Sequence, residues 1–160
     1  MYLKNAWYVA GWKHHLDDGL LARTICEEPI VFFRGADGKV GALEDRCCHR
    51  SAPLSAGRLQ GNEVECGYHG LRFDRTGQCT AIPTQELVPP GAFVRSYPVV
   101  EKSRWIWIWM GDPSKADESQ IPDYFFLDNP DWANIDDYFY VECNYQAYID
   151  IQLDQSHSPY

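Results

Sequence analysis

The chain has 160 residues, of which 14 are Lys or Arg and 23 are Asp or Glu, for a net charge of −9 at pH 7. This length is enough for one domain and the start of a second. The acidic charge argues against binding to nucleic-acid phosphates or anionic membranes, and no apolar run approaches the ~20 residues of a membrane span. The N-terminus lacks the continuous apolar core of a secretory signal, so we expect a cytoplasmic protein.

The first two thirds of the chain have the pattern of short strands separated by tight turns. Turn-forming Gly and Asp residues occur at 35–38, 61–62 and 74–77. The pattern predicts strands over residues 22–26, 29–34, 40–43, 64–66, 71–73, 94–100 and 104–110. We therefore expect a mainly β fold, a small antiparallel sandwich or barrel.

The last of these strands is apolar on both faces of a period-two pattern, since residues 105–110 read WIWIWM. This indicates a central strand covered from both sides. A tryptophan platform for a ligand is the alternative, and core packing is the favoured interpretation. Residues 111–134, rich in Asp, Pro, Ser and Asn, predict a long connector. After it we expect a strand over 138–143 and a buried helix over 145–157.

Two short Cys/His segments carry the most specific signal. Cys47 and His49 form the first, and after sixteen further residues Cys66 and His69 form the second. Each segment offers one thiolate and one imidazole, so two facing loops would supply two Cys and two His ligands. Gly and other turn-forming residues beside both segments let backbone N–H groups approach a bound group closely.

Three interpretations of these segments compete. Buried thiols with unrelated histidines are one, but the paired arrangement makes chance improbable. A structural zinc site is the second, although its first two ligands are usually separated by two to four residues, and Cys47 and His49 have one between them. The third is a [2Fe–2S] cluster with two thiolates on one iron and two imidazoles on the other.

The remaining cysteines have no such pattern. Because the cytosol keeps thiols reduced, a disulfide framework is not expected. Cys26, Cys79 and Cys143 lie in strand-like segments and are predicted to be small buried residues. The role of Cys48, which adjoins Cys47, is left open.

With both segments in view, the chain resembles the Rieske non-heme iron oxygenases over nearly its whole length. Residues 47–54 (CCHRSAPL) and 66–74 (CGYHGLRFD) match the Rieske domain of that family, and 5–10 (NAWYVA) and 105–113 (WIWIWMGDP) resemble its vanillate and dicamba O-demethylase branch. The resemblance implies that Cys47, His49, Cys66 and His69 bind a Rieske [2Fe–2S] cluster. Position 48 is Pro in many relatives and Cys here.

A second site is suggested near the end of the chain. Asp150, Asp154 and His157 are four and three residues apart, which would place them on one face of a helix. A solvated helix face is the alternative. The resemblance implies that His157 is a ligand of a mononuclear Fe(II), and that Asp154 bridges it to a Rieske histidine of a neighbouring subunit. Ile151 stands where relatives often have Asn.

The resemblance also predicts what lies outside the sequence given. A second iron-binding His would follow His157 by five positions, and a carboxylate ligand much further along, so the two-His-one-carboxylate site is incomplete here. We expect an N-terminal fragment of a longer oxygenase. Its Rieske domain would span residues 1–111, a connector 112–135, and the start of an α+β catalytic domain 136–160.

The resemblance implies the oxygenase component of a monooxygenase that O-demethylates or hydroxylates an aromatic compound with O₂. A ferredoxin or flavin reductase would supply the electrons, and the oxygenase would be a homotrimer. A stand-alone Rieske-type electron-transfer protein is the alternative. The segment after Gly111 distinguishes the two, because electron transfer alone does not need it.

Overall fold

The structure is a computed structural model that describes residues 2–154 and 156. In chain order the described strands are β1 Ala6–Trp12, β2 Leu21–Ile25, β3 Glu28–Arg34, β4 Val40–Glu44, β5 Arg58–Gln60, β6 Glu63–Glu65, β7 Arg72–Phe73, β8 Cys79–Ala81, β9 Val99–Lys102 and β10 Trp105–Met110. These ten strands form three antiparallel sheets with the orders β1-β10-β9, β2-β3-β4 and β5-β6-β7-β8. The prediction of a mainly β, antiparallel fold is confirmed.

The sheet β2-β3-β4 lies between the other two sheets. Strand β3 is apolar on both faces, and each face packs against one of the neighbouring sheets. Its Val31 and Phe33 pack into a core with Val64 and Phe73 of the third sheet. Its alternate residues, Ile30 and Phe32, pack into a second core with Ile106, Ile108 and Met110. Side chains alternate between the two faces of a strand, so one strand can anchor two cores.

The predicted central strand is confirmed in β10, which pairs with β1 on one side and β9 on the other. Ile106 and Ile108 face the middle sheet, whereas Trp107 and Trp109 are buried on the opposite face. Trp109 packs edge-on against Trp7 at 5.4 Å between ring centroids. Trp107 and Trp109 therefore belong to the core, whereas Trp105 at the start of the strand is half-buried.

Some boundaries differ from the prediction. Strands β1, β5 and β8 were not predicted, and the expected strand over 94–100 is reduced to Val99–Lys102, with isolated bridges at Phe93 and Ser96. Pro98, which has no N–H to donate, directly precedes β9 and limits the ladder there.

The segment after Gly111 is largely irregular, as expected for a connector. It contains 3₁₀ turns at Pro113–Lys115 and Glu118–Gln120 and a single-turn helix α1, Phe125–Asp128. The predicted strand over 138–143 is wrong, because those residues form no strand. Among the residues that the structure describes, no strand pairs with this segment, so its backbone has no ladder to join.

The helix α2, Tyr145–Leu153, begins where the side chain of Asn144 accepts a hydrogen bond from the backbone N–H of Gln146 at 2.9 Å. Its predicted burial is wrong, since all nine of its residues are exposed. Tyr2 stacks on Tyr145 at a centroid distance of 5.2 Å, but the apolar side chains of Ile151 and Leu153 are exposed. Within the described residues, no helix has the length and apolar character needed to cross a membrane.

Candidate metal centre

The first Cys/His segment forms a tight loop after β4. The backbone N–H of Cys47 donates to the carbonyl of Ala52 at 2.8 Å, and the Cys47 carbonyl accepts from the N–H of Ser51 at 2.9 Å. Ser51 has a positive φ of 55°. A non-glycine residue in this left-handed region marks a turn that the surrounding bonds impose.

The second segment, between β6 and β7, repeats this pattern position by position. The N–H of Cys66 donates to the carbonyl of Leu71 at 2.8 Å, and the Cys66 carbonyl accepts from the N–H of Gly70 at 3.0 Å. Gly70 has a φ of 74°, at the position that corresponds to Ser51. The two ligand-bearing loops therefore have the same backbone design.

Glycine allows the backbones beside the two loops to approach each other. A Cβ added at Gly57, which follows the first loop, would overlap the carbonyl oxygen of Glu65 and lie 3.0 Å from the N of Gly67. A Cβ at Gly67 would lie 2.8 Å from the carbonyl oxygen of Ala56. Only the absence of both side chains permits this contact, which fixes the spacing of the loops.

The side chain of Asp45 holds the two ends of the first loop together. Its carboxylate accepts hydrogen bonds from the backbone N–H of Ser55 at 2.7 Å and from the Ser55 hydroxyl at 2.5 Å. These bonds join the residue two positions before Cys47 to the far end of the loop. Sequence reasoning missed this role, although a carboxylate so close to a candidate ligand is a usable signal.

The two candidate thiols lie together and are buried, each with 2% of its surface exposed. Burial, and after it the neighbouring thiol of Cys66, raises the pKa of Cys47 to about 11. A thiol with a raised pKa stays protonated at neutral pH unless a metal ion displaces the proton. A metal ligand must be the deprotonated thiolate, so these two cysteines are suited to a bound metal centre.

The two candidate imidazoles form a second pair on the outer side of the loops. The rings of His49 and His69 are 4.8 Å apart between centroids, and both residues are exposed. The ring of Tyr68 lies against His69 at 3.9 Å. A shallow groove above the imidazoles is also lined by Leu71, Ile82 and Pro89.

This donor set fits a two-iron cluster, in which one iron takes the thiolates and the other the imidazoles. A zinc ion would need all four ligands around one point. The structure instead places the two thiols in a buried pair and the two imidazoles in an exposed pair. This arrangement favours the cluster over the zinc interpretation.

The second predicted site is only partly described. Asp154 follows the last residue of α2 in an extended conformation, so the helix ends before the predicted 157. The exposed Asp154 carboxylate accepts a hydrogen bond from the N–H of Ser156 at 2.8 Å, and Ser156 lowers its pKa. His157 lies outside the described residues.

The other cysteines differ from one another. Cys79 is buried, as predicted. The prediction of burial is wrong for Cys143, which is exposed in the irregular segment before α2, and Cys26 is only half-buried. Cys26 has a φ of 53° because it forms a two-residue turn between β2 and β3. Cys48 is exposed beside the groove.

Comparison with known proteins agrees with this geometry. The profile of the Rieske [2Fe-2S] domain matches residues 6–98. The iron-sulfur subunit of the toluene-4-sulfonate monooxygenase system of Comamonas testosteroni is 48% identical, over 98% of this chain and 46% of that protein. The oxygenase component of dicamba O-demethylase of Stenotrophomonas maltophilia is 43% identical, over 99% of this chain and 47% of that protein.

A solved structure shows the same fold. The crystal structure of dicamba monooxygenase bound to dicamba aligns with a TM-score of 0.95 and 43% identity, over 99% of this chain and 48% of that one. The chain thus spans about half the length of the relatives it matches. One of these relatives is an oxygenase component and the other a subunit of a monooxygenase system, which favours the oxygenase interpretation over a stand-alone electron-transfer protein. On its sequence and its fold, the chain belongs to the Rieske [2Fe–2S] domain family.

Proposed function

We propose that this chain is the cluster-bearing part of a Rieske non-heme iron monooxygenase. The whole enzyme would use O₂ and electrons from a ferredoxin or flavin reductase to O-demethylate or hydroxylate an aromatic compound. The observation that carries the proposal is the pair of loops with the same backbone design, which present two buried thiols and two exposed imidazoles. The named activities of the similar proteins support it.

In this proposal Cys47 and Cys66 bind one iron, and His49 and His69 bind the other. When bound at these four residues, such a cluster would supply one-electron transfer. Two thiolates and two neutral imidazoles balance the 2+ charge of an oxidised two-iron core, and such centres have potentials of roughly −150 to +300 mV. Burial of the two cysteines keeps water from the sulfur ligands, and the exposed imidazoles give the electron a path to a partner.

The second iron site would be completed by residues outside this chain. We assign His157 as a ligand of the mononuclear Fe(II) and Asp154 as the bridge to a Rieske histidine of a neighbouring subunit in a homotrimer. The exposed carboxylate of Asp154 is free to accept a hydrogen bond from such an imidazole. The assignment divides the chain into a Rieske domain at 1–111, a connector at 112–135 and the start of a catalytic domain at 136–160. A cytoplasmic location also stays a prediction.

The test is to measure iron and acid-labile sulfide in the purified chain and to record an EPR spectrum after reduction with dithionite. We expect two irons and two sulfides per chain. Cys66→Ala and His69→Ala should abolish the visible chromophore, because each removes a cluster ligand. His157→Ala is the matched control and should retain it. Zinc without sulfide would contradict the cluster assignment, and a colourless His157→Ala variant would contradict the separation of the two sites.

A further inference from the structure

The irregular connector is bonded to the sheet β1-β10-β9. Near its start, indole N–H groups of that sheet donate to backbone carbonyls of the connector. Trp109 donates to the carbonyl of Asp112 and Trp7 to the carbonyl of Asp117, both at 2.8 Å. A segment without helix or strand leaves its backbone groups without regular partners, so side-chain donors satisfy these carbonyls instead.

The contacts continue along the connector. Lys102 at the end of β9 donates to the carbonyl of Ile121 at 2.9 Å. The ring of Tyr124 lies against two tryptophans of β10, with centroid distances of 4.8 Å to Trp105 and 6.1 Å to Trp107. The tryptophan-rich sheet therefore holds the connector at successive points along its length.

A β-bulge in β1 adds a contact just after the connector. The register of β1 with β10 shifts between Val9 and Gly11. A bulge inserts one extra residue, so the side chains beyond it change faces. Trp12 consequently lies beside Trp105, at 5.2 Å between ring centroids, and its indole N–H donates to the carbonyl of Asp137 at 2.8 Å.

The turn between β9 and β10 directs Arg104 at the same segment. Ser103 and Arg104 form this turn with φ values of 51° and 67°. Gly and Asn are the usual residues of such turns, and other residues stay in the left-handed region only where surrounding contacts hold them. One such contact is the hydrogen bond from the Arg104 guanidinium to Oδ2 of Asp136 at 2.7 Å.

The carboxylate of Asp136 depends on this ion pair. Its side chain is only 12% exposed, and Oδ1 is buried without a hydrogen-bond partner among the residues that the structure describes. Nδ1 of His14 lies 4.0 Å from Oδ2, which is too far for a hydrogen bond. A buried carboxylate without its cation is strongly unfavourable. Without Arg104, the segment would therefore leave the sheet so that water could reach Asp136.

The helix α2, which follows this segment, also meets β1. Tyr145 and Ile149 of α2 line one cavity with Tyr8 and Val9 of β1. Residues 138–144 thus have contacts with the same sheet before them and after them. Asp154, directly after α2, is linked through these contacts to the part of the chain that holds the candidate metal centre.

We propose that Trp12 and Arg104 are positioning residues for the second iron site. They hold Asp136 and Asp137 on the sheet β1-β10-β9, and through this segment they set where Asp154 lies. This inference rests on the proposed function, which assigns Asp154 as the bridge to a Rieske histidine of a neighbouring subunit. A connector fixed in this way keeps Asp154 at one position relative to the cluster-bearing part, so electron transfer needs no swing of the connector.

The test is NMR of the oxidised, cluster-loaded chain labelled with ¹⁵N. Order parameters and residual dipolar couplings of the backbone amides show whether residues 137–154 move together with the sheets. We expect order parameters of about 0.85 in both, and couplings of α2 that fit the alignment tensor of the sheets. Trp12→Phe, which keeps an aromatic ring and removes the N–H donor, and Arg104→Gln should each lower the order parameters of residues 137–154 below about 0.6. Those of β3 should stay unchanged, which distinguishes loss of positioning from general destabilisation.

A second substitution tests the role of the buried charge. Asp136→Asn in the Arg104→Gln chain removes the unpaired carboxylate, so the order of residues 137–154 should return toward that of the wild type. Arg75→Gln is the matched control, because it removes an ion pair of similar length, 2.6 Å to Asp37, from the turn between β7 and β8. It should leave residues 137–154 as they are in the wild type.

The outcomes separate the two proposals. In chains with full iron and sulfide content, wild-type order parameters below about 0.6 in residues 137–154 would overturn the positioning role alone. Trp12→Phe and Arg104→Gln chains as ordered there as the Arg75→Gln chain would do the same. A double variant no more ordered than Arg104→Gln would overturn the role of the ion pair. A chain that binds no iron and sulfide would overturn the proposed function and, with it, the positioning of a second iron site.

Discussion

Replacing Gly57 with Ala tests whether the close approach of the two loops is needed to bind the cluster. The new methyl group would overlap the carbonyl oxygen of Glu65 and lie 3.0 Å from the backbone N of Gly67. Relaxed contacts between heavy atoms lie at about 3.5–4.0 Å. Both clashing atoms belong to the backbone, so no side chain can rotate away, and the loops must separate.

The expected cost follows from this geometry. The φ of Gly57 is −92°, so the penalty is steric and not a matter of left-handed backbone. Overpacking of this kind costs about 1–3 kcal/mol, and for a chain of this size each kcal/mol lowers Tm by roughly 2–4 °C. We expect Gly57→Ala to lower Tm by several degrees and to reduce the iron and sulfide bound per chain.

The assay is thermal unfolding together with iron and sulfide analysis and visible absorption. Gly91→Ala is the matched control, because a Cβ at Gly91 meets nothing within 4 Å and its φ is not in the left-handed region. It should leave Tm and cluster content unchanged. A Gly57→Ala chain with the Tm and the full cluster content of the Gly91→Ala chain would refute the view that glycine sets the loop spacing.

Two further predictions concern the stability of the β2–β3 hairpin. Glu27 has a φ of 67° in the two-residue turn, a left-handed conformation that is costly for a residue with a Cβ. Glu27→Gly should therefore raise the free energy of unfolding, measured by urea titration, by up to about 1 kcal/mol. A decrease in this free energy would contradict the prediction. Glu28 is partly buried, which opposes its ionisation, but bonds from Lys4 and Tyr97 and the charge of Arg95 outweigh this and lower its pKa. A carboxylate with a lowered pKa stabilises the fold above the unfolded value of about 4.3 and loses that effect as the pH falls through the folded value. The Tm difference between wild type and Glu28→Gln should therefore be largest near neutral pH and shrink toward pH ~3; a difference that is the same at both pH values would contradict the assignment.

Local patterns were sufficient to predict most of the sheet framework and the candidate ligands. Short continuous apolar runs predicted β3 and β10, since a strand that is covered on both faces takes apolar side chains at successive positions. The ligand segments were recognisable because thiolates and imidazoles at this spacing have few other uses. Sequence alone therefore determined the fold class and proposed the centre.

The C-terminal segment shows why the remaining structure could not be predicted from local patterns. Length and apolar content predicted a buried helix over 145–157. Burial depends on a partner surface, and little of α2 is covered by other described residues. The same holds for residues 138–143, whose alternating pattern finds no strand to pair with in the described part of the chain. Both patterns show which side chains of a segment are apolar enough to be buried. Whether another part of the protein covers those side chains is decided by the tertiary structure.

By itself, the sequence determined the antiparallel β fold, the central tryptophan-rich strand and the four candidate ligands, because each depends on residue type and short spacing. Only the tertiary structure revealed that the loops repeat one hydrogen-bond pattern, that Gly57 and Gly67 bring them together, and that the thiols face inward and the imidazoles outward. It also revealed that Arg58 and Arg72 converge on one carboxylate. These features join residues far apart in the sequence, and their distances are set by packing, which no local pattern contains.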